Sequence, residues 1–105
     1  MEIIETPVFS KKINNVLSDD EYKDLQWALV VNPQAGPVIP GSGGLRKLRW
    51  AVPGGGKRGG IRIIYYVYLE DEKIYLLFPY KKSEQEDLTI EQLKILGEYV
   101  KGGVL

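Results

Sequence analysis

The chain contains, between Ile61 and Tyr80, the stretch IRIIYYVYLEDEKIYLLFPY, which decides the fold class. Two runs rich in Ile, Tyr, Val and Leu, residues 61–69 and 73–80, flank the acidic turn Glu70-Asp71-Glu72. β-Branched and aromatic residues favour strands, and a short polar link between two such runs is typical of an antiparallel hairpin. Because both runs are almost continuously apolar, we expect them to form central strands of a sheet.

Two further strands are predicted upstream of this hairpin. Residues 45–51 read as one of them, and alternation of side chains along a strand places Lys47 and Arg49 on one face and Leu48 on the other. A β-rich segment in residues 1–9 predicts an N-terminal strand, which Pro7 ends or confines to a sheet edge. Two cations therefore project together from the strand before the hairpin.

Two helices are predicted between the N-terminal strand and residues 45–51. Ser18 followed by Glu21 is a capping-box pattern, and the helix that it starts should end near Asn32-Pro33. Ser10 is the predicted cap of a shorter helix over residues 11–17. Trp27, on the longer helix, is interpreted as a residue of the core or of sheet packing.

A third helix is predicted at the C-terminal end. Thr89 with Gln92 repeats the capping-box pattern, and Gly102-Gly103 supplies a stop. The apolar stripe of this helix consists of Ile90, Leu93, Leu96 and Val100.

The predicted order is β-α-α-β-β-β-α, an α+β fold with two N-terminal helices and a C-terminal helix packed on a mainly antiparallel sheet. A chain of 105 residues fits a single domain, residues 1–105. Gly54, Gly56 and Gly59 match the pattern GxGxxG, but they precede a strand, whereas a dinucleotide site requires such glycines to open a helix. We therefore interpret them as a strand connection.

Positive charge is concentrated in one region of the chain. The whole chain has 14 Lys and Arg against 14 Asp and Glu, yet residues 41–66 contain no acid. Like charges grouped without carboxylates between them favour an anion-binding surface. The cations of this basic stretch are Arg46, Lys47, Arg49, Lys57, Arg58 and Arg62.

Missing residue types exclude several kinds of chemistry. The chain has neither Cys nor His, which excludes disulfides, thiolate zinc sites and a histidine general base. A carboxylate-only magnesium site stays open, although we expect neither a metal nor a cofactor. No signal-peptide pattern begins the sequence and no apolar run approaches the roughly 20 residues that cross a bilayer, so we expect a cytoplasmic protein without membrane contact.

Three runs of sequence carry a resemblance to a known family. GGLRKLRWA, GKRGGIRIIYY and IYLLFPYKK follow, in this order, a helical pair that ends at Asn32-Pro33. The combination, over residues 3–99, resembles the RelE/ParE superfamily of type II toxin–antitoxin toxins, and within it the HigB-like branch of RelE-type toxins. The resemblance implies a small α+β endoribonuclease, an mRNA interferase that enters the ribosomal A site, cuts translated mRNA and inhibits translation. It also implies an antitoxin partner with a helix-turn-helix domain, through which alone the pair would contact operator DNA.

The resemblance further implies roles for individual residues. Lys47 and Arg49 resemble the family's basic pair on its second strand, and Arg62 resembles its arginine at the start of the next strand. Arg62 would stabilise the phosphate in the transition state, and Lys47 is the candidate base because a guanidinium does not deprotonate usefully. Such toxins often place a Tyr or His near the C-terminus; here Tyr80 is the nearest substitute, and Tyr99 is an alternative. The remaining predicted contacts to RNA or ribosome are Arg46, Lys57, Arg58, Lys81 and Lys82.

Two other functions stay open at this point. A ParE-like toxin would act on DNA gyrase through a protein surface, and a noncatalytic RNA-binding regulator would need the basic face but no lysine that transfers a proton. The basic pair on the strand before the hairpin favours the endoribonuclease.

Overall fold

A computed structural model describes residues 1–51 and 60–101 of the chain. Its strands are β1 (Glu2–Glu5), β2 (Arg46–Trp50), β3 (Ile61–Tyr68) and β4 (Lys73–Lys81). They form a mixed sheet with the strand order β1-β4-β3-β2. β3 pairs antiparallel with both β2 and β4, whereas β1 runs parallel to β4. The hairpin is therefore central, as predicted.

A β-bulge interrupts the pairing of β3 with β4. Ile64 lies opposite Phe78, but its neighbour Tyr65 lies opposite Leu76, so Leu77 is an extra residue on β4. Side chains alternate along a strand, and one extra residue therefore moves all later side chains of β4 to the other face. Regular alternation would place Tyr80 on the same face as Leu76. Because of the bulge, Tyr80 lies on the opposite face.

The first helix, α1 (Pro7–Ile13), begins at the bulge. Thr6 caps it: its hydroxyl oxygen accepts a hydrogen bond from Phe9 N (3.1 Å) and donates one to Leu77 O (2.9 Å). Pro7 occupies the first helical position, where a missing backbone N–H removes no helical hydrogen bond. One buried side chain thus starts α1 and also satisfies the carbonyl of the bulged residue.

The prediction that Ser10 caps a helix over residues 11–17 is wrong. Ser10 lies inside α1, and its hydroxyl donates to the Glu5 carboxylate (2.5 Å). The sequence pattern was ambiguous because a proline that ends a strand is equally suited to begin a helix.

The second helix, α2 (Asp19–Val31), has the predicted capping box. Ser18 Oγ accepts a hydrogen bond from Glu21 N (3.2 Å), and a Glu21 carboxylate oxygen accepts one from Ser18 N (2.8 Å). Leu25 and Leu29 point inward and are fully buried. Trp27 lies between them on the outer face of α2 and is 70% exposed, so its interpretation as a packed residue is wrong.

The third helix, α3 (Ile90–Lys101), covers the sheet face opposite to α1 and α2. Thr89 and Gln92 form the predicted reciprocal hydrogen bonds at its start. Leu93, Leu96 and Val100 pack against the sheet, but no residue of α3 is fully buried. Ile90, predicted to belong to this stripe, is exposed. The predicted stop at Gly102-Gly103 lies outside the described residues.

Two buried clusters fill the space on either side of the sheet. The larger cluster joins α1 and α2 to residues of the sheet such as Leu48, Ile63 and Tyr65. The smaller cluster lies under α3 and includes Ile64 and Tyr80. The sheet is therefore covered by helices on both faces. Among the helices of residues 1–51 and 60–101, none has the length and apolarity to cross a membrane.

The loop between α2 and β2 is held against the sheet at Gly36. Gly36 N donates to Tyr65 Oη and Gly36 O accepts from Arg46 Nη1, both at 2.8 Å. Tyr65 Oη also donates to Pro33 O (2.8 Å). A Cβ atom at position 36 would lie 2.9 Å from the backbone of Lys47, so only glycine permits this approach. The position of β2 is fixed by these contacts.

The double role of Thr6 predicts a large effect of its hydroxyl on stability. Thr6→Val keeps the shape of the side chain but removes the helix cap and leaves Leu77 O without its partner. We expect the free energy of unfolding, measured with urea, to fall by about 2–4 kcal/mol. Thr6→Ser retains both hydrogen bonds and should stay within about 1 kcal/mol of the wild type. Equal stability of the Val and Ser variants would contradict the assigned role of the hydroxyl.

Candidate functional site

The register of the sheet brings together the residues predicted to be catalytic. Arg49 on β2 lies directly opposite Arg62 on β3, and Arg62 lies directly opposite Tyr80 on β4. Lys47 is on the same face of β2, opposite Ile64. Directly paired residues of neighbouring antiparallel strands have Cβ atoms about 4.5–5.5 Å apart. Arg49, Arg62 and Tyr80 thus form a row across three strands, called the cross-strand row below, with Lys47 beside it.

The cross-strand row runs from an open edge to a buried centre. Arg49 is exposed, whereas Arg62 is 5% exposed and Tyr80 is 3% exposed. Arg62 Nη1 lies 3.4 Å from Ile61 O. Arginine stays charged in proteins, so this arrangement holds a positive charge at the buried centre of the row. Burial of this kind strengthens the interaction with an incoming anion because water screens it less.

Asp87 completes the site, and sequence reasoning did not identify it. This residue lies between β4 and α3, and its carboxylate forms an ion pair with Lys47 Nζ (3.3 Å). The same oxygen, Oδ1, accepts a hydrogen bond from Leu88 N (3.0 Å). The sequence shows a group of acids over residues 84–91, but nothing in their spacing distinguishes the one that reaches β2.

The surroundings of Asp87 favour its ionised form. Burial acts to raise the pKa of this carboxyl, but the hydrogen bonds from Leu88 N and Lys47, together with the charges of Lys47 and Arg62, have the larger effect and lower it. The site thus contains an internal carboxylate at neutral pH.

The hydroxyl of Tyr80 is a buried donor. Among the described residues it has no hydrogen-bond partner. Burial raises the pKa of Tyr80 to about 12; the nearby negative charge of Asp87 adds to this rise, and the positive charge of Arg62 opposes it. Hydrogen bonding to the Asp87 carboxylate also contributes to this rise, although the two groups do not meet the distance and angle of a full hydrogen bond. The phenol therefore stays protonated at neutral pH and has a proton to donate.

The other predicted contact residues lie elsewhere. Arg46 is on the opposite face of β2, where its guanidinium binds Gly36 O, so the structure does not bring it to the row. Lys81 and Lys82 are exposed at the end of β4. Tyr99 lies near the end of α3 and is half-buried. The predicted contacts Lys57 and Arg58, and the glycines of the GxGxxG pattern, lie outside the described residues.

A groove of about 600 Å³ borders the site. Its walls combine apolar side chains of the loop after α2, such as Pro37 and Val38, with Lys47, Arg49 and Asp87. A larger cavity, of about 780 Å³, lies between residues 41–43 and α3, but it contains none of the predicted site residues. We place the candidate site at the smaller groove because Lys47, Arg49 and Asp87 line it.

No group of three or more acidic residues within residues 1–51 and 60–101 is arranged to hold a metal ion. The carboxylate of Asp87 faces Lys47 rather than other acids.

Comparison with known proteins identifies the fold. No protein-family model matches the chain. Among solved structures, the chain is similar to the E. coli toxin RelE, determined in the free state as a mutant with two arginines replaced by alanine. The TM-score is 0.62 at 15% sequence identity, and the match covers 97% of this chain and 96% of that chain. The predicted RelE-like α+β fold is thus confirmed, and the HigB-like branch stays a prediction.

Two tyrosines on opposite faces of the sheet should respond differently to loss of the hydroxyl group. Tyr80→Phe removes a buried hydroxyl that has no hydrogen-bond partner in residues 1–51 and 60–101, so we expect the free energy of unfolding to stay within about 0.5 kcal/mol of the wild type or to rise. Tyr65→Phe removes the bonds to Gly36 N and Pro33 O and should cost about 1–3 kcal/mol. Urea unfolding of both variants measures the difference. A similar loss in both would mean that Tyr80 Oη has a partner.

Proposed function

We propose that the chain is the toxin of a type II toxin–antitoxin system and an endoribonuclease that cuts translated mRNA on the ribosome. The observation that carries this proposal is the cross-strand row, in which a buried arginine lies beside a buried tyrosine hydroxyl that has no hydrogen-bond partner within the described part of the chain. The likeness of almost the whole chain to the toxin RelE supports it.

RNA cleavage needs few groups from the protein because RNA contains its own nucleophile. The 2′-oxygen attacks the adjacent phosphorus while the bond to the 5′-oxygen breaks, which leaves a 2′,3′-cyclic phosphate and a 5′-hydroxyl. The protein has to align these atoms, accept the 2′-hydroxyl proton, stabilise the negative charge on phosphate and give a proton to the leaving oxygen. Side chains of the kind found in the row are suited to each task.

Arg62 and Arg49 are the groups that we assign to the phosphate. A guanidinium presents planar N–H donors that match two oxygens of a phosphate. The buried position of Arg62 makes its charge more effective at the oxygens where negative charge develops. Arg49, at the open edge, would hold the same phosphate from the solvent side.

Proton transfer is assigned to Tyr80 and Lys47. Tyr80, whose pKa is about 12, is protonated at neutral pH and is the proposed acid for the leaving 5′-oxygen, since an alkoxide is more basic than a phenolate. Lys47 is the proposed acceptor of the 2′-hydroxyl proton, because the arginines of the row do not deprotonate usefully. In the free protein Lys47 is an ammonium group paired with Asp87. This role therefore requires that the ion pair separates when RNA binds and that the ammonium group first loses a proton to water, since only the neutral amine has a lone pair for the 2′-hydroxyl proton.

The groove beside the site suits single-stranded RNA. Its apolar wall at Pro37 and Val38 lies next to Lys47 and Arg49, so a base and its phosphate would each meet a matching surface. Lys81 and Lys82, together with Lys57 and Arg58, are the proposed contacts to more distant phosphates of mRNA or ribosomal RNA. Arg46 is not among them, because it lies on the opposite face of β2 and its guanidinium binds Gly36 O. A ribosome would supply the alignment that such a small groove does not.

We further propose that the chain belongs to the HigB-like branch and acts in the cytoplasm. Its partner would be an antitoxin with a helix-turn-helix domain that contacts operator DNA. An antitoxin has to cover the cross-strand row, distort it or prevent entry into the ribosome.

Cleavage in growing bacteria tests the proposal. Wild type, Arg62→Ala and Tyr80→Phe are induced, and new 5′ ends on mRNA are mapped together with protein synthesis. We expect codon-phased cuts in the wild type, a loss of about 100-fold or more in Arg62→Ala and about 10- to 100-fold in Tyr80→Phe. Lys23→Ala removes a cation from exposed α2 on the other side of the sheet and should cleave like the wild type.

The outcomes separate the functions considered above. Arg62 is buried and its loss affects folding, but Tyr80→Phe is expected to fold normally, so its loss of cleavage reports on chemistry. Growth arrest with intact mRNA would instead favour a ParE-like action on gyrase or a noncatalytic RNA-binding regulator. Absence of both arrest and cleavage would refute the toxin assignment.

Lys47→Arg separates proton transfer from binding. Arginine retains the positive charge but does not accept a proton at neutral pH. If Lys47 is the base, cleavage should fall about 100-fold or more while affinity for the ribosome changes little. A rate within about twofold of the wild type would restrict Lys47 to phosphate binding. The measurement is single-turnover cleavage of mRNA on ribosomes, with Lys23→Ala as the control.

A further inference from the structure

Asp87 has no task in the proposed reaction, yet its carboxylate touches the site. Its oxygen lies 3.3 Å from Lys47 Nζ, and its charge acts on both Arg62 and Tyr80. The negative charge of this carboxylate disfavours the binding of phosphate by the neighbouring groups. Two anions held close together repel each other, so the substrate phosphate and the Asp87 carboxylate compete for the same cationic groups.

We propose that Asp87 is an internal competitor for the phosphate-binding groups, whose carboxylate has to leave Lys47 before RNA binds. A carboxylate and a phosphate both present anionic oxygens that accept hydrogen bonds from an ammonium group. The inference rests on the proposed function, because it takes the competing ligand to be single-stranded RNA.

The carboxylate of Asp87 can leave Lys47 without unfolding its surroundings, at the cost of the hydrogen bond that its Oδ1 accepts from Leu88 N. Its side chain is 67% exposed, whereas Lys47 is only 24% exposed. The backbone around it is fixed separately: Asp87 O accepts from Gln85 Nε2 (2.8 Å), which also donates to Gln92 Oε1 (3.0 Å) at the start of α3. A change of side-chain rotamer would therefore carry the carboxylate into solvent while the link between β4 and α3 stays in place.

The size of the competition follows from the exposure of the ion pair. Ion pairs at exposed positions are weak because water and salt screen them. Removing the competitor should accordingly increase the affinity for RNA by about three- to fivefold, rather than by orders of magnitude. An ion pair of this strength hinders the binding of weak anions. RNA can still displace the Asp87 carboxylate, because RNA makes further contacts along the groove.

Binding of a nonreactive RNA tests the inference. The probe is a fluorescent single-stranded RNA of about ten nucleotides with 2′-O-methyl groups throughout, and its affinity is measured by anisotropy at about 0.1 M salt. Asp87→Asn should bind about three- to fivefold more tightly than the wild type. Glu86→Gln removes the same charge from the adjacent exposed residue and should change affinity by less than about twofold.

A second pair of variants connects the effect to Lys47. If Asp87 competes for this ammonium group, Asp87→Asn should give little gain in a Lys47→Met background. On ribosomes, Asp87→Asn should lower KM.

Three outcomes would overturn the inference. They are an affinity of Asp87→Asn that is unchanged or weaker, a gain no larger than that of Glu86→Gln, and a lower kcat at unchanged KM, which would make Asp87 a catalytic group.

The inference and the proposed function fail separately. Tighter binding by Asp87→Asn without any cleavage by the wild type would leave the inference standing and refute the endoribonuclease. Cleavage by the wild type without a gain in affinity for Asp87→Asn would refute the inference and leave the endoribonuclease standing.

Discussion

The β-bulge at Leu77 is the constraint on which the candidate site depends. It shifts the later residues of β4 by one position and thereby places Tyr80 beside Arg62 rather than in the core under α1 and α2. An interruption of this kind leaves a carbonyl to be satisfied, and Thr6 supplies the hydroxyl. The N-terminus of α1, which is far from the site in sequence, thus contributes to its geometry.

Register alone explains why the site is a row rather than a scattered patch. β3 pairs with both neighbours, so each residue on one of its faces has a partner on either side. Ile61 and Ile63 pack in the larger cluster, and the residue between them, Arg62, is turned to the opposite face. A charged residue is held at a buried position because it belongs to an otherwise apolar strand. The stability of the sheet thereby also fixes the position of the charge.

Sequence reasoning predicted the strands, α2, α3 and the common face of Lys47 and Arg49, because these depend on local patterns. Two apolar runs around a polar turn and two capping boxes are readable within a few residues. The start of α1 and the position of Trp27 were predicted wrongly, since each depends on which neighbouring residues take the inward positions. Asp87 was not identified because its contact with Lys47 joins residues 40 positions apart in the chain. The bulge is equally nonlocal, for only the pairing of β4 with β3 reveals the extra residue.

The charges of the site have opposite consequences for the free protein and for the proposed complex with RNA. Cations gathered on two adjacent strands repel one another when no anion is present, and burial of Arg62 reduces the screening by water. Asp87 relieves part of this repulsion from an exposed position, where the compensating interaction is weak enough to be replaced. A buried carboxylate in the same place would be screened less by water and would hold the cations more tightly, so a phosphate could not replace it. The exposed position of Asp87 is therefore consistent with a site that is partly neutralised when free and open to the proposed RNA substrate.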